Sequence, residues 1–236
     1  MEGRIGHEPQ PAVVDDRGRP SDRADRETVP VRRDFFAHAA TIPRGRYGGF
    51  VSDNRTKLIE TGAELIWQSG YTATSPRQVM AASGVGQGSF YHHFPAKTDL
   101  GAAAIAANAN AVVAAAESSL AGTEPGLVRL RRYLLDERDA LAGCKIGGLT
   151  YDRAVLDDPR LLEPIGEAFG RVADLLEPAI QDAQEAGAVR ADLPAAELAT
   201  MVLSVVQGGY VLARARSDAS LLRQAASTAY ALLARG

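Results

Sequence analysis

The sequence predicts an all-α fold of about nine helices. Three observations carry that expectation. Apolar residues recur at helical spacing in segment after segment from residue 52 onward. Ser, Asp or Pro opens most of these segments, and Gly or Pro closes several of them. No stretch sustains the two-residue alternation of a half-buried strand.

Residues 1–50 stand apart, with nine Arg against eight acids and only short apolar runs. Such a segment buries too little surface to offset its ordering entropy, so it reads as a disordered extension. The alternative is a basic arm on nucleic acid through Arg32, Arg33, Arg44 and Arg46. The interleaved acids weigh against it.

The first helix starts at a Ser52 or Asp53 cap. It places Leu58, Gly62, Leu65, Ile66 and Ser69 on one face and ends at Gly70. Ser75-Pro76-Arg77-Gln78 opens the second, with Ser75 as cap, Pro76 in the first turn and Gln78 completing a capping box. That helix is short, turns Val79 and Ala82 inward, and stops at Ser83-Gly84. After the turn Gly84-Val85-Gly86, a third helix covers Gln87 to Phe94, and Pro95 stops it. A long fourth helix follows from Pro95-Ala96-Lys97, alanine-rich to Leu120. Further helices are expected from Pro125 to Ala142, from Gly143-Cys144 to Leu156, and from Asp158-Pro159 to Ala186. The last two run from an Asp192 to Pro194 cap to Arg216, and from Asp218 to Leu233.

Composition excludes several classes. Hydrophobic residues make up 46% and charged residues 23%, ordinary for a folded domain. Net charge is -3, so any attraction for nucleic acid must be local. The single cysteine, Cys144, excludes an intrachain disulfide and a Cys-rich zinc module, and fits a reducing cytoplasm. No apolar run approaches the roughly 20 residues of a bilayer span. No cofactor, metal or membrane partner is expected.

The densest signal is Gly84 to Lys97, GVGQGSFYHHFPAK. A phosphate loop would need Lys and Ser/Thr directly after the glycines, and these are missing. His92 and His93 are adjacent on a helix, about 100° apart, so they do not share one metal. A helix-turn-helix fits: two short helices, a Gly-containing turn, Val85 plugging it, and Phe90 and Phe94 on one side. Gln87, Ser89, Tyr91 and His92 cover the other side, where a recognition helix needs groups that reach base edges. No acid lies between Ser75 and Lys97, which keeps the local field positive.

Gly70-Tyr71, Thr74-Ser75, Ala82-Ser83-Gly84-Val85, Gly88-Ser89-Phe90-Tyr91-His92-His93-Phe94 and Lys97 together resemble the TetR family of bacterial transcriptional regulators. The resemblance covers about Ser52 to Ile105. It departs at Gly86, where the family often has a serine cap, and at Gln87, where it often has Lys or Arg. It implies a helix-turn-helix DNA-binding domain over 51–98 and a helical effector-binding and dimerisation domain over 99–236. Ser75 and Lys97 would hold phosphates, and Arg77 would reach a phosphate or base edge. Gln87 and Ser89 would face the major groove, Tyr91 would bond a phosphate, and His92 would lie against backbone or base. His93 stays open between packing and contact. The implied partners are a palindromic double-stranded operator, a small-molecule effector and a second copy of the chain.

For the dimer seam the apolar residues of the last two helices offer Leu198, Met201, Val202, Val205, Val206 and Gly209, with Leu221, Leu222, Ala225, Ala229 and Leu232. An intramolecular core claims some of them. Tyr133, Tyr151, Phe169 and Tyr210 are candidate effector-pocket walls. GCKIGGL, Gly143 to Leu149, resembles a motif of a TetR subgroup also marked by GSFYHHF. Cys144 is therefore a candidate electrophile or redox sensor, near an expected helix start and beside Lys145. The alternative is a small cysteine that packs. A rival function for the whole chain is a helical small-molecule binder or enzyme with a vestigial DNA-binding part, although no catalytic set stands at readable spacing.

Overall fold

The computed structural model describes residues 54–234. The Ser52 or Asp53 cap and the N-terminal extension lie outside the described residues. Those residues form nine α-helices: α1 (Asn54–Ser69), α2 (Pro76–Ser83), α3 (Gln87–His93), α4 (Lys97–Leu120), α5 (Gly126–Leu135), α6 (Arg153–Leu156), α7 (Pro159–Glu185), α8 (Ala195–Arg216) and α9 (Ser220–Leu233). A 3-10 turn, Gly147–Tyr151, precedes α6. No strand occurs among them; one isolated bridge joins Val189 to Ala234.

The caps explain the short helices. The Ser75 hydroxyl accepts from the Gln78 amide at 3.3 Å, and Gln78 Oε1 accepts from the Ser75 N–H at 2.7 Å. α2 ends because Gly84 takes φ +70°, a left-handed conformation that costs glycine little. α3 starts without a side-chain cap, at Gly86. α4 starts where the Asp99 carboxylate accepts from the Ala96 N–H at 2.9 Å.

Three apolar clusters stack along the molecule. Leu58, Val79, Val85, Phe90, Phe94 and Leu100 hold α1 to α4 together at the N-terminal end. In the middle, Ala63 and Ile66 of α1 share a core with Ile105 of α4, Ile146, Leu149 and Ile165. The third joins α4, α5, α7, α8 and α9 around Leu130, Leu176, Ile180, Val202 and Leu233.

Several expected features shift. In α1 the inward face carries Ala63, while Ser69 is exposed. In α2 Ala82 is exposed, and Met80 packs on the cluster beside Val79. α5 stops at Leu135 instead of Ala142, because the Arg138 guanidinium folds back onto the carbonyls of Tyr133, Leu134 and Asp136. No α-helix starts at Gly143-Cys144; a turn leads to the 3-10 turn, and α6 begins only at Arg153. Asp192 does not cap α8: its carboxylate takes Arg190 at 2.6 Å, and Pro194 stands at the cap. Asp218 does accept from the Ser220 N–H at 2.9 Å. α4 and α8 are long and apolar enough for a bilayer span, with mean hydropathies of 1.3 and 1.4. Scattered polar residues such as Asn108 and Glu117 hide this from a search for unbroken runs, and both helices pack on α7.

The expected seam divides. Leu198, Val202, Val206, Leu222 and Ala229 are buried in the chain's own core. Gly209 meets Leu222, whose Cδ1 lies 2.6 Å from where a Cβ would stand, so α8 and α9 touch there. Leu232 is 74% exposed.

Candidate nucleic-acid interface and effector cavity

α3 is seven residues long and two-sided. Phe90 is fully buried and Phe94 nearly so, with ring centroids 6.2 Å apart. Opposite them Gln87, Tyr91 and His92 are exposed. The Tyr91 ring stands edge-on to Phe90 at 5.1 Å, which fixes it while its hydroxyl end faces outward at 46% exposure. Ser89 is half-buried, and its hydroxyl accepts from the Asn54 amide at 3.1 Å. Arg55 lies over the Phe94 ring at 5.6 Å, adding a cation beside α3. Arg77 is exposed on α2. Ser75 spends its hydroxyl on the cap and leaves the N-terminus of α2 accessible.

Lys97 sits differently from the rest. Its Nζ donates to the Thr72 carbonyl at 3.1 Å and lies 4.5 Å from the Tyr71 ring centroid. Burial lowers its pKa, partly opposed by the Asp152 carboxylate. Asp152 comes from beyond the helix-turn-helix: its oxygens accept from the Thr72 N–H at 2.7 Å and the Thr72 hydroxyl at 2.5 Å. The acid-free stretch from Ser75 to Lys97 therefore has a carboxylate at its border.

A cavity of about 230 Å³ opens among α1, α4, α5 and α8, lined in part by Trp67, Tyr133, Cys144, Lys145, Gln207 and Tyr210. A second, of about 410 Å³, shares Cys144, Gln207 and Tyr210 and adds Tyr151 and Phe169. All four expected wall residues thus line one cavity or the other, with Tyr151, 80% exposed, at the rim. Burial pushes the Tyr210 phenol up to about 12 and raises Tyr133 as well. The Lys145 amine stands 3.7 Å from the Trp67 ring centroid.

Comparison with known proteins matches two segments of the chain. The family described as bacterial regulatory proteins, tetR family, matches residues 58–104, the helix-turn-helix itself. The family described as transcriptional regulator LmrA/YxaF-like, C-terminal domain, matches residues 126–228. The chain belongs to the TetR family of transcriptional regulators. Among its relatives, the HTH-type transcriptional repressor DhaR of Mycobacterium sp. (strain GP1) is 27% identical over 65% of this chain and 79% of that protein. The transcriptional regulator AcuR of Cereibacter sphaeroides is 30% identical over 57% of this chain and 64% of that protein. The reduced form of E. coli NemR shares the fold, with a TM-score of 0.69 at 21% identity, over 77% of this chain and 97% of that one.

Within this TetR-family regulator, the structure gathers Gln87, Tyr91 and His92 on one outward face, with Arg77 on the preceding helix. Cys144 is not in that group; it is half-buried in the cavity wall. Sequence reasoning missed Asn54, Arg55, Thr72 and Asp152. Nothing in the pattern brings residue 54 to 89 or 152 to 72.

Proposed function

We propose that this TetR-family regulator is a homodimeric repressor that leaves a palindromic operator when a small molecule occupies its C-terminal cavity. The observation that carries the reading is the division of α3: Phe90 and Phe94 anchor it, and Gln87, Tyr91 and His92 are free to enter a major groove. Ser75, Arg77 and Lys97 flank that face and contact phosphates, Ser89 reaches the groove edge, and Gln87 pairs with adenine. Residues 51–98 read DNA, and 99–236 sense and dimerise. Repression is favoured because DhaR bears that name. The protein works in the cytoplasm, beside its DNA.

The seam is a stripe of half-buried and exposed residues at heptad spacing: Met201, Val205, Gly208 and Leu212 on α8, and Leu221, Ala225, Thr228 and Leu232 on α9. Two copies of this pair make a four-helix bundle. An effector that binds better where the recognition helices are wrongly spaced shifts the population away from the operator. Cys144, in the wall of both cavities, gives electrophiles a route to the same shift.

Mobility shift on genomic fragments, including the DNA upstream of its own gene, tests the reading. Wild type should bind, and Tyr91→Ala and Lys97→Ala should weaken binding. Wild-type failure on every fragment overturns it. Alkylation of Cys144 that leaves binding unchanged removes the sensor role alone.

A further inference from the structure

We infer that the larger C-terminal cavity takes an aryl carboxylate, an organic acid with a flat apolar body, whose charged group is held by Arg214 and Lys145. The inference rests on the effector-controlled reading above and names the class of molecule that fills the cavity.

Among the described residues that line the cavity of about 410 Å³, Arg214 alone carries a charge. It stands at the junction with a smaller recess of about 190 Å³, lined also by Trp67, Lys145 and Gly148. Two cations thus border one recess, and no described carboxylate lines either space. Neither cation forms an ion pair among the described residues. The Arg214 guanidinium has a built seat. Its Nη1 lies 3.1 Å from where a Cβ on Gly143 would stand and 3.7 Å from one on Gly148, so the two glycines make room for it. The half-buried Lys145 rests its amine on the Trp67 ring, 3.7 Å from the centroid. An ammonium partly out of water with a ring as its partner gains from a nearby anion. A guanidinium fork matches a carboxylate through two parallel bonds.

The body of the ligand follows from α8. Gln207, Tyr210, Val211 and Arg214 recur three and four residues apart, so one stripe of the helix faces the cavity. Phe169 of α7 lines the same space. Arg214 lies about 6 Å along the axis beyond Tyr210, which leaves an aromatic region beside a charged end. A flat ring fits the first and a carboxylate the second. The acids of this region line the other cavity. Asp136, Glu137 and Asp139 border the one of about 230 Å³, where Asp136 accepts from the Ser119 hydroxyl and Asp139 from the Ala142 N–H. A ligand carboxylate is repelled there and attracted by Arg214, which sets the direction in which the molecule lies.

The test is calorimetric titration of the full chain with 2-naphthoate and with 2-naphthamide, a neutral molecule of nearly the same shape. The acid should bind once per chain, about ten-fold or more tighter than the amide. Lys145→Gln/Arg214→Gln should keep its melting temperature and its affinity for the amide, but lose the preference for the acid. Arg214→Lys, which keeps the charge without the fork, should show an intermediate preference. Equal wild-type affinity for the two compounds overturns the site, as does binding of neither at millimolar concentration. A preference that survives in the double variant overturns it too. So does inorganic phosphate that binds as tightly as 2-naphthoate, since a bare oxyanion would then need no apolar body. Mobility shift separates this site from the regulator reading: a wild type that binds 2-naphthoate as expected but no DNA fragment overturns that reading and supports the site.

Discussion

The Asn54 side-chain amide donates to the Ser89 hydroxyl at 3.1 Å, so the first turn of α1 steadies α3. A seven-residue helix without a side-chain cap has few internal bonds to hold its orientation. Asn54→Ala should leave the fold intact, because the bond is exposed. It should weaken DNA binding by about two- to ten-fold, the worth of one hydrogen bond of about 0.5–1.5 kcal/mol. Anisotropy titration of a labelled duplex checks this; unchanged affinity would mean that α3 is held by Phe90 and Phe94 alone.

Gln87 and Lys97 should fail differently. If Gln87 reads a base as proposed, Gln87→Ala should relax preference at one position of the site, at a cost of about 1–3 kcal/mol on the cognate base. If Lys97 holds a phosphate as proposed, Lys97→Ala should lower affinity evenly across sequences and drop the salt slope by about one. Selection of bound fragments for the first and a salt titration for the second separate the two roles.

Asp152 supplies a pH signature. Burial pushes its carboxyl up, but the two Thr72 bonds, the Ala154 N–H and the Lys97 charge outweigh that and hold it below the usual carboxylate range. A depressed carboxylate binds fewer protons folded than unfolded, so its stabilisation is present above the unfolded value of about 3.9 and is lost as pH falls through the folded one. The melting temperature of wild type should exceed that of Asp152→Asn at neutral pH, and the gap should close as acid protonates the folded carboxylate. A gap independent of pH would show that the carboxylate charge is irrelevant to the tie.

What could be read from the sequence was local. The Ser75–Gln78 box, the stop at Gly84 and the Phe90–Phe94 pair each involve residues within four positions, where one capping or spacing rule decides. Phase was less secure in an eight-residue helix: two turns do not distinguish a face through Ala82 from one through Met80. The end of α5 was hidden because the Arg138 guanidinium, just past the helix, takes its last carbonyls, where no Gly or Pro marks a stop. The ties of the interface, Asn54 to Ser89 and Thr72 to Asp152, span 35 and 80 residues and exist only once the helices pack. The subdivision of α8 and α9 was invisible for a related reason. Both faces of α8 are apolar, and only the fold assigns Val206 inward and Leu212 outward.

That assignment makes the dimer testable apart from stability. Leu212 and Leu232 are 52% and 74% exposed in the single chain, so Leu212→Glu and Leu232→Glu should change its stability by only about 0.5 kcal/mol. In a bundle of two copies, the same changes place carboxylates in an apolar seam, where an unpaired charge is costly. Sedimentation should therefore show monomers for the double variant at concentrations where wild type is dimeric. DNA affinity should fall by about a hundred-fold or more, since each recognition helix then binds alone. Val206→Ala serves as the contrast. It opens the chain's own core and should lower the melting temperature while leaving the stripe available for pairing. A double variant that remains dimeric would place the seam on another face of the molecule.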